Sequence, residues 1–229
     1  MLLLFDIDGT LLLKAHGAHR ESLHAALREV HGIADPASAH IQAAGRTDGE
    51  IARAIALQVG ISAERIDEQA DAVRETTCAE FARRCPPDLR DRVAPGMEDV
   101  LRALAGRPGT RLSLVTGNFE PVARLKLERA GLAELFPAGQ GGFGSDDEDR
   151  AALPGIARRR AGLDGRAYPR GHTLVIGDTP NDAACARADG VRFLGIATGP
   201  FAAGDLRAAG AEAVATDARG LGELIARLD

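Results

Sequence analysis

The sequence predicts an α/β protein: a doubly wound, Rossmann-like parallel sheet with an all-helical cap inserted after the first strand. Three observations carry this. Short apolar runs bounded by Gly, Thr, Asp or Asn alternate with stretches of helical period, the pattern of βα units on a parallel sheet. That alternation fails once, between residues 14 and 92, where helical periodicity continues and no strand-like run occurs. The composition is 45% hydrophobic with only 3% aromatic residues and no Trp, so the core must be built from Leu, Val, Ile and Ala, which suits helices packed closely on a sheet.

Residues 2–7 (LLLFDI) form an apolar run ended by Asp8-Gly9 and read as a buried strand. After it come three amphipathic patterns. Leu23, Leu27 and Val30 share one helical face, Ile51, Ile55 and Val59 a second, and Ile66, Ala70, Val73 and Phe81 a third, longer one. Nearly eighty residues are too many for a βα loop, so they form a separate helical unit. The prolines of PPDLRDRVAPG (86–96) suit its return linker. Helical stretches near 97–105, 120–130, 151–162, 181–189 and 220–228 then alternate with the runs LSLVT (112–116), TLVIG (173–177), VRFLGI (191–196) and the weaker AEAVAT (211–216). The division is residues 1–13 with 93–229 as the α/β core and 14–92 as the cap.

Several function classes are disfavoured. The net charge is −5, and the 28 basic residues, of which only Lys14 and Lys126 are lysines, are scattered rather than gathered into a patch, so no nucleic-acid backbone is expected to bind. Few aromatics are available to stack on bases. Cys78, Cys85 and Cys185 form no paired spacing and are expected to be small buried apolar side chains in a reducing compartment. The only apolar N-terminal run is cut by Asp6 and Asp8, too early for a signal core or a membrane span, so the expected location is cytoplasmic, without membrane contact.

In open parallel sheets, ligands bind beyond the carboxyl ends of the strands. Three of the runs end in related polar residues: Asp6-Ile7-Asp8-Gly9-Thr10, Thr116-Gly117-Asn118, and Gly177-Asp178-Thr179-Pro180-Asn181-Asp182. Carboxylates crowded at one sheet edge repel unless a cation sits among them, and hard oxygen ligands suit Mg²⁺. Amides and hydroxyls beside them suit an anion. Taken singly, the first group could be an Asp-Gly turn and Thr116 an ordinary strand residue.

Together, DIDGT (6–10), Thr116 after LSLV, and GDTPND (177–182) resemble the motifs of the haloacid dehalogenase superfamily, close to its phosphoglycolate phosphatase-like branch. The resemblance covers nearly the whole chain. It implies a Mg²⁺-dependent phosphomonoesterase in which Asp6 is the nucleophile, forming an aspartyl-phosphate, and Asp8 the general acid and base. Asp6 and Asp178 would be direct carboxylate ligands of the metal, Asp8 a ligand through its carbonyl, and Asp182 a holder of a bound water or a partner behind the ligands. Thr116 and the amides of Gly117 and Asn118 would bind the phosphoryl oxygens. Where relatives carry a Lys followed by Pro, this chain has FGSDDEDRAALP, so the third-motif cation is Arg150 or one of Arg158 to Arg160; a guanidinium can bind phosphate bidentately.

In the cap, GRTDGE (45–50) places Thr47 and Glu50 as a capping box, with Arg46 beside the helix start as a substrate-binding cation. His16 and His19 read as exposed polar positions, and the run Asp146 to Asp149 as a solvated loop. The expected partner is a small phosphorylated metabolite. The same motifs also admit a phosphomutase, in which the phosphoryl group passes to another hydroxyl, and, less readily, a non-catalytic binding protein on the same fold. Dehalogenation and phosphonate hydrolysis fit less well, because Asp8 and the GDTPND carboxylates are present and the insert offers only Lys14.

Overall fold

A computed structural model of the chain describes residues 1–228. The elements run β1 (Leu2–Phe5), α1 (Gly17–His31), α2 (Asp48–Gln58), α3 (Ala63–Arg84), α4 (Met97–Ala105), β2 (Arg111–Thr116), α5 (Glu120–Arg129), β3 (Gly142–Phe143), α6 (Leu153–Ala161), β4 (Thr173–Gly177), α7 (Pro180–Asp189), β5 (Arg192–Ile196), α8 (Ala203–Ala208), β6 (Ala213–Ala215) and α9 (Ala218–Ala226). The six strands form one parallel sheet in the order β3-β2-β1-β4-β5-β6. The chain order reverses direction at β1, and the crevice at that switch point opens beyond the carboxyl ends of β1, β2 and β4.

Period-2 alternation sorts the strand side chains into two layers. Leu3, Phe5, Leu112, Leu114, Leu174, Ile176, Leu194 and Ile196 face α4, α5 and α9. Leu2, Leu4, Val115, Val175 and Phe193 face α6 and α7. Both faces are covered, which is why the strands read as continuous apolar runs.

The helices α1, α2 and α3 share a separate core of Leu23, Leu27, Ala52, Ile55, Ile66 and Val73. Two of the expected face positions fall outside it. Helix α2 ends at Gln58, which leaves Val59 as its C-cap and 43% exposed, and Ala70 is exposed on α3. Phe81 is buried, but against Phe119 and Val122 of the sheet domain, so the C-terminal part of α3 packs across the seam rather than into the cap. The two connecting segments run side by side: Leu12 bridges Val93 in antiparallel fashion, with Leu13 N donating to Arg92 O and Ala94 N to Leu11 O. Two short elements, β3 and α8, were not expected from the sequence. Among the described residues, no helix is long and apolar enough to cross a membrane.

Candidate active site

The first strand delivers Asp6 and Asp8 to the crevice. Gly9 follows at φ +93°, where a Cβ would stand 2.3 Å from Asp178 Oδ2, so the turn after β1 needs glycine for its backbone and for the carboxylate beside it. Thr10 Oγ1 donates to Asp178 Oδ1 (3.1 Å), tying the first motif to the end of β4. At the start of α7, Thr179 and Asp182 form a reciprocal capping box, with Asp182 Oδ2 accepting from Thr179 N (2.9 Å) and Oγ1 (2.8 Å).

Asp6, Asp178 and Asp182 are buried, and one carboxylate oxygen from each lies within 4.8 Å of the others. Among the described residues, one cation bonds to two of them: Arg150 Nη2 donates to Asp6 Oδ1 (3.1 Å) and Asp182 Oδ1 (2.5 Å). Three neighbouring carboxylates with one guanidinium between two of them leave an excess of negative charge. Burial, then the Asp182 charge, pushes the Asp6 carboxyl up to about 7, with Arg150 opposing; burial and the charges of Asp6 and Asp182 push Asp178 up to about 8. Buried oxygen donors that ionise reluctantly for want of a counter-charge fit a hard divalent cation.

Asp8 stands apart from this cluster. Its Oδ2 accepts from Lys126 Nζ (2.6 Å) and Asn118 Nδ2 (3.0 Å), and its buried Oδ1 has no partner. Burial works against ionisation of Asp8, but the Lys126 ammonium, with the bonds from Lys126 and Asn118, outweighs it and holds the carboxyl below its ordinary range.

The arginines of the 150–160 segment separate clearly. Arg150 opens a single 3₁₀ turn (Arg150–Ala152) that precedes α6, the helix expected from about Ala151. Arg158 closes on Asp189, and Arg160 on Asp146, both away from the carboxylate cluster. The loop 146–149 is not merely solvated: Asp146 holds Arg160 and Phe143 N, Glu148 holds Arg53, and Asp149 caps the 3₁₀ turn.

The cap segment carrying Arg46 lies over β2. Asp48 N donates to Gly117 O (2.8 Å), and a Cβ on Gly117 would stand 2.1 Å from Arg46 O, so glycine there is what lets the two backbones meet. The capping box is half formed: Thr47 Oγ1 accepts from Glu50 N (3.1 Å) and donates to Glu148 O (2.7 Å), while the Glu50 carboxylate pairs with Arg46 Nη1 at 3.4 Å. Thr116 is fully buried, and its Oγ1 accepts from Asn118 N (3.3 Å).

His16 is exposed at the N-cap of α1, but His19 is buried, a correction to its reading as a surface position. Its ring bridges Asp48 and Lys126, which satisfies both nitrogens without solvent. Lys126 is the main residue that motif reading missed. The signal was present: it is one of two lysines and sits on the apolar face of α5 with Val122, Ala123 and Leu127. Cys185 is buried, Cys78 and Cys85 half-buried, and all three are free thiols.

The model of the haloacid dehalogenase-like hydrolase family matches residues 3–187. A phosphoglycolate phosphatase from Rhodospirillum rubrum is 33% identical over 227 residues, spanning 96% of this chain and 88% of that one. The crystal structure of a hydrolase from Pseudomonas syringae, 20% identical, superposes with a TM-score of 0.69 over 99% of this chain and 98% of that one. CbbY from Rhodobacter sphaeroides, solved in complex with phosphate, gives a TM-score of 0.62 at 20% identity over 96% of each chain. The last two are likenesses of fold.

Proposed function

Because the chain belongs to the haloacid dehalogenase-like hydrolase family, we propose that it is a Mg²⁺-dependent phosphomonoesterase acting on a small organic phosphate of the phosphoglycolate type. The observation that carries this reading is the separation of Asp6 from Asp8. Asp6 gathers with Asp178 and Asp182 in a buried carboxylate cluster, whereas Asp8, two residues on, is held apart by Lys126 and Asn118, so the two carboxylates of one strand end have different surroundings and different chemical roles.

In the first half-reaction Asp8 takes up a proton from solvent as the substrate dianion binds, Asp6 attacks phosphorus, the P–O bond to the leaving group breaks, and Asp8 passes that proton to the departing alkoxide. Water then attacks the aspartyl-phosphate, Asp8 takes its proton, and Asp6 and inorganic phosphate are released. Oδ2 of Asp8 is occupied by Lys126 and Asn118, so the proton travels through Oδ1. Asp6 and Asp178 would hold Mg²⁺, with Asp8 contributing its carbonyl and Asp182 standing behind; the ion supplies the charge neutralisation that lets an anionic nucleophile approach a phosphoryl dianion. Thr116, the amides of Gly117 and Asn118, and Arg150 orient the phosphoryl oxygens. Arg46 receives a second anionic group of the substrate, such as a carboxylate.

The test is a screen of metabolite phosphates with and without Mg²⁺, followed by Asp6→Asn. That variant keeps the volume and removes the nucleophile. Phosphate release should fall at least 1,000-fold, and no acid-stable phosphoenzyme should form with labelled substrate. A tenth of wild-type turnover surviving in folded, metal-loaded Asp6→Asn would overturn the assignment, and transfer of the label to a second sugar hydroxyl in place of water would identify a mutase.

A further inference from the structure

Lys126 is fully buried on α5, and its ammonium has three protons and three acceptors: Asp8 Oδ2 at 2.6 Å, Asn118 Oδ1 at 2.8 Å and His19 Nδ1 at 3.2 Å. The first two acceptors belong to the sheet domain and the third to cap helix α1. With Nδ1 accepting from Lys126, a neutral His19 ring carries its proton on Nε2, which donates to Asp48 Oδ2 (3.0 Å) at the start of α2. That same Asp48 oxygen accepts from Phe119 N (2.8 Å), beside the second motif. Phe81 of α3 closes the group, edge-on to His19 at 5.6 Å and 6.0 Å from Lys126 Nζ.

The cap therefore meets this ammonium directly through His19 of α1 and Phe81 of α3, and indirectly through Asp48 of α2 behind His19, and the ammonium grips the residue assigned to proton transfer. A buried ion pair by itself is a weak source of stability, since desolvation offsets most of the attraction. We propose that Lys126 is a positioning residue for the Asp8 carboxylate, and that His19, backed by Asp48, completes its clasp only while the cap is seated, so that cap seating fixes Asp8 in its working orientation. This rests on the reading of Asp8 as the proton-transfer group. The clasp ties up Oδ2 and leaves Oδ1 for the substrate, and with the cap lifted Nζ keeps two acceptors and turns its third proton to water.

Two experiments test it, one independent of activity. Because Lys14 is exposed and Lys126 is the only other lysine, an amine-acetylating reagent read out by mass spectrometry reports cap seating directly. Lys14 should react at least 100-fold faster than Lys126 in the wild type, and His19→Ala should raise the Lys126 rate at least 10-fold. Comparable rates at the two lysines in the wild type, or no change in His19→Ala, would overturn the cap-dependent clasp. The second experiment compares kcat/KM, which reports the first half-reaction, for 2-phosphoglycolate and for p-nitrophenyl phosphate, whose leaving group needs no proton. Lys126→Met should lose about 100-fold on the alkyl ester and less than about 10-fold on the aryl ester. His19→Gln, which keeps a donor for Asp48 but no acceptor for Lys126, should show the same selectivity at about 10-fold, and His19→Asn, which restores that acceptor, should recover most of it. If Lys126→Met fails to fold, the His19 pair decides. Equal losses on both esters would mean a packing role and overturn the proposal. Asp8→Asn separates the two levels: without leaving-group selectivity there, the Asp8 reading itself fails, whereas selectivity in Asp8→Asn but not in the Lys126 and His19 variants overturns this inference alone.

Discussion

Arg150 donates through Nη2 to Asp6 and Asp182, whereas Arg158 donates to both oxygens of Asp189 and to Tyr168 O on the far side of α6. Both are buried, and their removal should fail in different ways. Arg150→Ala strips from the carboxylate cluster the guanidinium that bonds Asp6 and Asp182, so kcat/KM should drop about 100-fold or more. Arg158→Ala removes the two hydrogen bonds to half-buried Asp189, which keeps Arg170 Nη2 at 3.3 Å, and should cost about 1–3 kcal/mol in denaturant unfolding, with kcat/KM of the folded fraction changed only about 3-fold. A folded Arg158→Ala enzyme more impaired than Arg150→Ala would reverse the third-motif assignment. Arg46→Ala belongs to the same scale. Among the described residues its guanidinium pairs only with Glu50, at 3.4 Å, a loose hold that lets it turn toward a substrate anion. It should cost roughly 10- to 150-fold in kcat/KM for a substrate bearing a carboxylate, and about 3-fold at most for p-nitrophenyl phosphate. Comparable losses on the two would confine Arg46 to the helix start.

The segment before α2 is an element whose two functions share one side chain. Thr47 caps the helix through Glu50 N and ties it to the sheet domain through Glu148 O, while the neighbouring backbone rests on Gly117. Thr47→Ala should remove about 1 kcal/mol of stability as a lost N-cap. It should also loosen the seat, raising KM several-fold while Arg53 and Glu148 still hold the cap side. Unfolding midpoints and KM measured together check this: a stability loss with KM unchanged would make Thr47 a cap residue only.

For the molecule as a whole, the carboxylate cluster sets a sign for stability against pH. Asp6 and Asp178 have folded values near 7 and 8 against 3.8 for the free group, so the folded state retains protons that the unfolded chain has released. Their contribution is fully present below about pH 4 and is lost as pH rises through 7 and 8. Chelator-treated protein should therefore melt at a lower temperature at about pH 8.5 than at about pH 5.5, and Mg²⁺ should raise Tm more at the higher pH. The Mg²⁺ increment cancels groups outside the cluster, such as His24 and His31, whose neutral forms burial favours. An increment independent of pH, or absent, would remove the metal from the cluster. Asp6→Asn should flatten the dependence.

The sequence by itself determined the strand ends and their carboxylates. Apolar runs stop where the chain reaches Asp6, Thr116 and Asp178, and the failure of alternation after residue 13 marked the helical insert, because burial on both sheet faces and one-sided helical burial leave different periods in the chain. It could not show β3, whose two residues sit in a Gly-rich stretch that reads as a turn and pair only because β2 lies beside them. Which of four arginines faces the cluster was likewise a matter of how α6 is set against the sheet, since a guanidinium's reach spans several positions. His19, Asp48, Asn118 and Lys126 are far apart in the chain and individually ordinary. Their meeting at Asp8 was decided by the tertiary structure alone, because a buried ammonium selects its acceptors by distance in space, and only the folded cap and sheet domain bring three of them within hydrogen-bonding range of one nitrogen.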